Sequence, residues 1–178
     1  MTDVASALTA HHQAVEAFLN TAKSVPPDRW AVPRAPGKWS PGQVADHLAV
    51  VYEVNRNVLR GAAPARGAPR LLRPLLRVFL LNPVLRRGAF IPGSKTPKML
   101  EPGESPAPPE ALLARLRSAA NAFETDAAGN RSATIDHPFF GRLSIADYVR
   151  FQEIHTRHHD AQVVPPPQPD LHGVYAAS

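Results

Sequence analysis

Three histidines, His155, His158 and His159, fall within five residues of the segment running from Tyr148 to Gln162. Histidine ligates transition metals through a neutral ring nitrogen and titrates close to neutral pH. On a helix, His155 and His159 stand one turn apart on the same face, close enough to grip one ion. Another histidine, His47, follows Val44 by three residues and precedes Val51 by four, which turns it to the apolar side of a different helix. Three imidazoles from two helices would leave a coordination position for water or substrate. The chain has no cysteine, so thiolate zinc ligands, an iron–sulfur cluster and a disulfide framework are excluded.

A step of about 100° per residue places Tyr148, Phe151, His159 and Gln162 within about 40° of His155 on the helical wheel. Arg150, Glu153, Arg157 and Asp160 fall on the far side, and His158 lies nearer the edge. The inward face therefore carries His155, His159 and Gln162 among aromatic residues. Gln162 and Tyr148 are the candidates for contact with a substrate. A satisfied core amide and a packed ring are the plainer readings of those two positions. A single inward histidine is ordinarily a hydrogen-bonded core residue, and it is the pair together with His47 that points to a metal. His11 lies on the apolar stripe of the first helix, where a core or rim role outweighs ligation. His12 beside it is likewise a weaker candidate, and His137 (before Pro138, in an expected loop) and His172 are read as incidental to the metal.

The elements that must position these side chains are helical. The first helix is expected from about Asp3 to Lys23, ended by Pro26 and Pro27. The second has the clearest start: Ser40-Pro41-Gly42-Gln43 offers a capping serine, a proline at the first helical position and a glutamine three after the cap. It continues to about Arg60. The third spans about Pro109 to Asp126. The fourth runs from Ser144, with Asp147 in the reciprocal capping position, to about Val163, before three consecutive prolines. Strand signals are weak throughout, so the fold class is all-α, a four-helix bundle, with a bundle domain over residues 1–164 and a Pro-rich tail over 165–178.

Between the second and third helices, residues of about 62–108 form an insertion too long for a simple connection. Its first part is amphipathic: Arg66, Arg70, Arg73 and Arg77 form one stripe, opposite Leu71, Leu75 and Phe79. The apolar face is expected to cover the bundle as a lid, leaving the arginines in solvent. Seating on a membrane or on a second subunit, as in a homodimer, is the alternative. The formal charge of +5 accompanies a bias toward Arg, Ala and Pro, without a helix-turn-helix pattern or stacking aromatics, so nucleic acid is not the expected partner. There is neither a signal-peptide pattern nor an apolar run long enough to span a bilayer, and the expected location is the cytoplasm.

Three segments together resemble the DinB/YfiT-like superfamily of four-helix bundles: Lys38-Trp-Ser-Pro-Gly-Gln-Val-Ala-Asp-His-Leu48, His137-Pro-Phe-Phe-Gly-Arg-Leu-Ser144 and His155-Thr-Arg-His-His-Asp-Ala-Gln162. The resemblance implies a divalent ion, often zinc or nickel, held by His47, His155 and His159. The adjacent His158 leaves open which neighbour ligates. It also implies chemistry on small-molecule substrates, in some relatives with a low-molecular-weight thiol. A metal-dependent thiol transferase or a hydrolase is the activity so implied, and a protein that binds metal or ligand without turnover is the alternative.

Overall fold

The computed structural model describes residues 3–62, 67–90, 96–130 and 134–163. The helices are α1 (Val4–Lys23), α2 (Pro41–Leu59), α3 (Arg73–Leu76), α4 (Asn82–Arg87), α5 (Pro109–Gly129) and α6 (Ile145–Val163). The four long ones are those expected from apolar periodicity. α1 packs chiefly on α6 and α2 chiefly on α5, around a core that includes Phe18, Leu48, Tyr52, Leu116, Phe123 and Tyr148. The expected tail, with His172, lies outside the described residues, as does Arg66.

Helix starts follow their caps. The Asp3 carboxylate accepts from the Ser6 amide at 2.9 Å. Ser40 and Gln43 form the reciprocal capping box, each side chain accepting the other's backbone N–H, at 3.2 and 3.0 Å. Gly42, the second residue of α2, is needed for a close approach. A Cβ there would sit 2.6 Å from Pro106 Cβ and 2.7 Å from Trp30 Nε1. That contact lets Trp30 donate to the Ala107 carbonyl and pins the end of the insertion onto the start of α2.

Two features depart from expectation. A β-hairpin, β1 (Thr134–His137) and β2 (Gly141–Ser144), leads directly into α6, with Ile135 paired to Leu143. The strands are four residues each, too short for alternation to register as a pattern. Gly141 takes φ of 69° at the turn exit, a left-handed conformation that glycine adopts without strain.

The second departure is the orientation of the insertion. Residues 70–87 are continuously helical, passing from a 3-10 turn through α3 and a π segment (Arg77–Leu81) to α4. Pro83, without an N–H, interrupts the normal ladder at the π segment, where the Asn82 amide reaches back five residues to the Arg77 carbonyl. The polar stripe, not the apolar one, meets the bundle. Arg73 pairs with Asp136 at 3.1 Å and donates to the Ala68 carbonyl, and Arg77 donates to the Arg142 carbonyl at 2.5 Å. Leu71, Leu75 and Phe79 face solvent instead. The expected apolar lid is therefore inverted, because the hairpin presents a carboxylate and a carbonyl as arginine acceptors.

Candidate metal centre

His47 comes from the second turn of α2, fixed by the capping box that starts that helix. His155 and His159 come from the last third of α6, one turn apart. The structure brings all three together: one ring nitrogen from each lies within 4.8 Å of the other two. His155 Nε2 is 3.3 Å from His47 Nε2 and 3.0 Å from His159 Nε2. Imidazole nitrogens about 2.0–2.1 Å from one ion lie about 2.9–3.4 Å apart for angles between square and tetrahedral. Both separations fit that geometry.

The opposite ring nitrogens are held by donation. His47 Nδ1 donates to the Leu100 carbonyl at 2.6 Å, and His159 Nδ1 donates to Gln162 Oε1 at 2.9 Å. Each bond places the proton on Nδ1 and turns the Nε2 lone pair toward the centre. Trp39 stacks on His159 and lies 4.9 Å from His47 by ring centroids, and Phe90 packs against His155 at 5.3 Å. His155, with one ring proton, can satisfy only one of its two facing neighbours. A cation among the three nitrogens would satisfy all of them.

Electrostatics agree. Burial holds His47 below the ordinary histidine range, His155 well below it, and His159 down to about 3, the neighbouring imidazoles adding to the effect on the last two. All three rings are neutral at physiological pH. His158, also lowered by burial, is more exposed and lies on the rim, against Phe90, where it meets Gln162 Nε2 at 2.9 Å. It does not belong to the group that converges.

The three imidazoles form part of the wall of a cavity of about 570 Å³. Arg34 and Lys38 line it, along with Trp39, Asn55, Met99, Phe151 and Gln152. No Asp or Glu appears in that lining among the described residues. Gln162 reaches the cavity while orienting His159. Tyr148, a candidate substrate contact, does not line it. Its ring is fully buried and its hydroxyl donates to Asn55 Oδ1 at 2.6 Å, so Asn55 is the member of that pair that faces the cavity.

Two contributors and one burial were not read from the sequence. The Leu100 carbonyl is a backbone group in a 3-10 turn (Lys98–Leu100), and no side-chain pattern marks it. His137 stays outside the three-histidine group, as expected, yet it is buried at the end of β1, lines the cavity, and accepts the Phe139 and Phe140 amides on Nδ1 at 3.2 and 3.3 Å. Burial, and then the nearby Arg73 charge, lowers it to about 4. Glu153, expected on the far side of α6, is buried, because α1, α2 and α4 all pack on that helix; it pairs with Arg157.

His11 behaves as expected of a core residue. It is fully buried, bonded to Glu124 at 2.7 Å and to the Tyr52 hydroxyl at 3.0 Å, and stays outside the three-histidine group.

The profile of the DinB superfamily matches residues 8–163. Among solved structures, the crystal structure of TT2238, described as a four-helix bundle protein, is similar at 26% identity and a TM-score of 0.51. The match covers 89% of this chain and 95% of that one. No curated protein sequence matches.

Proposed function

The chain belongs to the DinB superfamily, and on that premise we propose that it is a divalent-metal-dependent enzyme acting on a small-molecule substrate. His47, His155 and His159 would hold the ion, which the family resemblance implies is zinc or nickel; a nitrogen-only donor set suits both. One observation carries the reading: three neutral imidazoles bring one ring nitrogen each to one point on the wall of a cavity. When bound, such an ion supplies a Lewis acid that lowers the pKa of a water or thiol, or polarises a carbonyl.

The rest follows from the chain's own residues. The Leu100 carbonyl and Gln162 keep His47 and His159 in the tautomer that presents Nε2. With no carboxylate in the described lining, three neutral ligands leave the ion's full charge to act on what enters. Arg34 and Lys38 favour an anionic group on the substrate. The apolar walls, Trp39, Phe90 and Phe151 among them, limit water around the reacting group. Tyr148 acts through Asn55, fixing its amide toward the cavity. A low-molecular-weight thiol as co-substrate suits a chain that has no cysteine nucleophile, and water is the alternative nucleophile, giving a hydrolase. A cytoplasmic setting, rich in such thiols, fits this reading.

The test has two parts. Tag-free protein and His155→Ala are analysed for bound metal, and one equivalent in the first with little in the second is expected. Metal that survives the substitution unchanged would contradict the site. The loaded protein is then screened with small thiols against varied electrophiles. Ligand binding without turnover would favour a binding protein over an enzyme.

A further inference from the structure

The outward apolar face of the insertion is independent of the metal centre and has a chemistry of its own. Six large apolar side chains within ten residues lie open to solvent: Leu71 at 89% exposure, Phe79 at 66%, and Leu72, Leu75, Val78 and Leu80 at about half. A contiguous patch of this kind marks a contact with something other than water. The segment cannot roll over to hide it. Arg73 and Arg77 are bonded to the hairpin on the opposite side, while Leu81 and Val84 are buried and Arg150 donates to the Leu85 carbonyl.

Charge identifies what the face meets. Between Glu53 and Glu101 the chain has no acidic residue and ten of its 20 Lys and Arg. The remainder of the chain has five more acids than bases, so the whole positive excess comes from this one stretch. Arg70, Arg86 and Arg87, at the two ends of the apolar face, are themselves exposed. A second copy of the chain is a poor fit. A two-fold contact would set this stretch against itself, arginines opposite arginines. A bilayer containing anionic lipid offers an apolar layer directly beneath negative headgroups, which matches both parts of the segment.

We propose that residues 70–87 form a membrane-docking face that lies in the plane of an anionic phospholipid surface, with Leu71, Leu75 and Phe79 inserted and the flanking arginines at headgroup level. The segment ends three residues before Phe90, which lines the cavity, so docking places a bilayer beside one wall of the site. No helix in the described residues is long and apolar enough to cross a membrane, which agrees with lying on the surface rather than spanning it.

The experiment is co-sedimentation of the full chain with vesicles of phosphatidylcholine alone or mixed with phosphatidylglycerol. It is repeated with Leu71→Asp/Phe79→Asp and with Arg86→Gln/Arg87→Gln. These positions are exposed, and unchanged circular dichroism and melting temperature confirm that each variant is folded. Binding to the anionic vesicles is expected, weakened at least about tenfold on neutral vesicles and in either variant. Equal binding to both lipid mixtures, or binding that both variants retain, overturns the proposal. So does absence of vesicle binding. In that case, a dimer dissociated by Leu71→Asp/Phe79→Asp in sedimentation equilibrium assigns the face to a second copy, and a monomer assigns it to neither.

Discussion

Two groups of buried histidine lie in the same bundle, and they are built on opposite principles. His11 is surrounded by partners that complete it: Glu124 on one ring nitrogen, the Tyr52 hydroxyl on the other, Thr156 bonded in turn to Tyr52, and Phe123 against the ring. Burial alone would raise Glu124, but its bonds to His11 and His12 hold it below the ordinary carboxylate range. That group has no unmet need. The other group brings three imidazoles together edge-on, at steep angles to one another, on a cavity wall with no carboxylate among them. Burial of a histidine therefore says little about its role. The chemistry of its partners says more, and three converging ring nitrogens are a group that could hold an ion.

The contrast can be broken by exchanging its terms. The largest effect is expected from His155→Ala, which should weaken zinc binding by about a thousandfold, near 4 kcal/mol, in a competition titration. The metal-free stability should change far less, since a ring facing two unmet lone pairs is lost. His11→Ala should do the reverse. Metal stoichiometry should stay at the wild-type level while urea unfolding shows a loss of roughly 2–3 kcal/mol, from a filled core position and two hydrogen bonds. Equal metal loss in both variants would erase the distinction.

Acid sharpens the same comparison. His159 and His137 titrate near 3 and near 4 in the folded protein, both lowered by burial from the usual histidine value of 6.5. The unfolded chain thus binds protons first. Stability from these groups is fully present above pH 6.5 and is lost as pH falls from there toward the folded values. Chelated protein should show a falling melting temperature across that window, and zinc-loaded protein should hold its own to lower pH. A flat profile in the chelated protein would show that these rings are not buried neutral.

Smaller effects concern the supports. Gln162→Leu removes the acceptor for His159 Nδ1–H and should cost about tenfold in zinc affinity, at the low end for such partners. Tyr148→Phe loses one buried hydrogen bond to Asn55 and should cost about 1 kcal/mol in unfolding, with metal content unchanged.

Much of this was legible in the sequence. The spacing of His155 and His159, the inward register of His47 and the Ser40–Gln43 box are local patterns, and the helices obey them. What was not legible depends on partners distant in sequence. The Leu100 carbonyl reaches His47 because Gly103 and Glu104, just beyond it, are tied to Gln43 and Asp46 on α2. His137 becomes a cavity residue because two four-residue strands turn it inward. The insertion's amphipathic pattern was correctly read as a helix with two faces. Which face meets the bundle was decided by acceptors more than 60 residues away, Asp136 and the Arg142 carbonyl. Periodicity reports that two faces exist; it cannot report where the acceptors are.

The central claim is that His47, His155 and His159 share one ion. Anomalous diffraction at the zinc absorption edge, from crystals of tag-free protein equilibrated with zinc, tests it most directly. A single strong peak within bonding distance of all three Nε2 atoms is expected. A peak elsewhere, with none between those nitrogens, would contradict it.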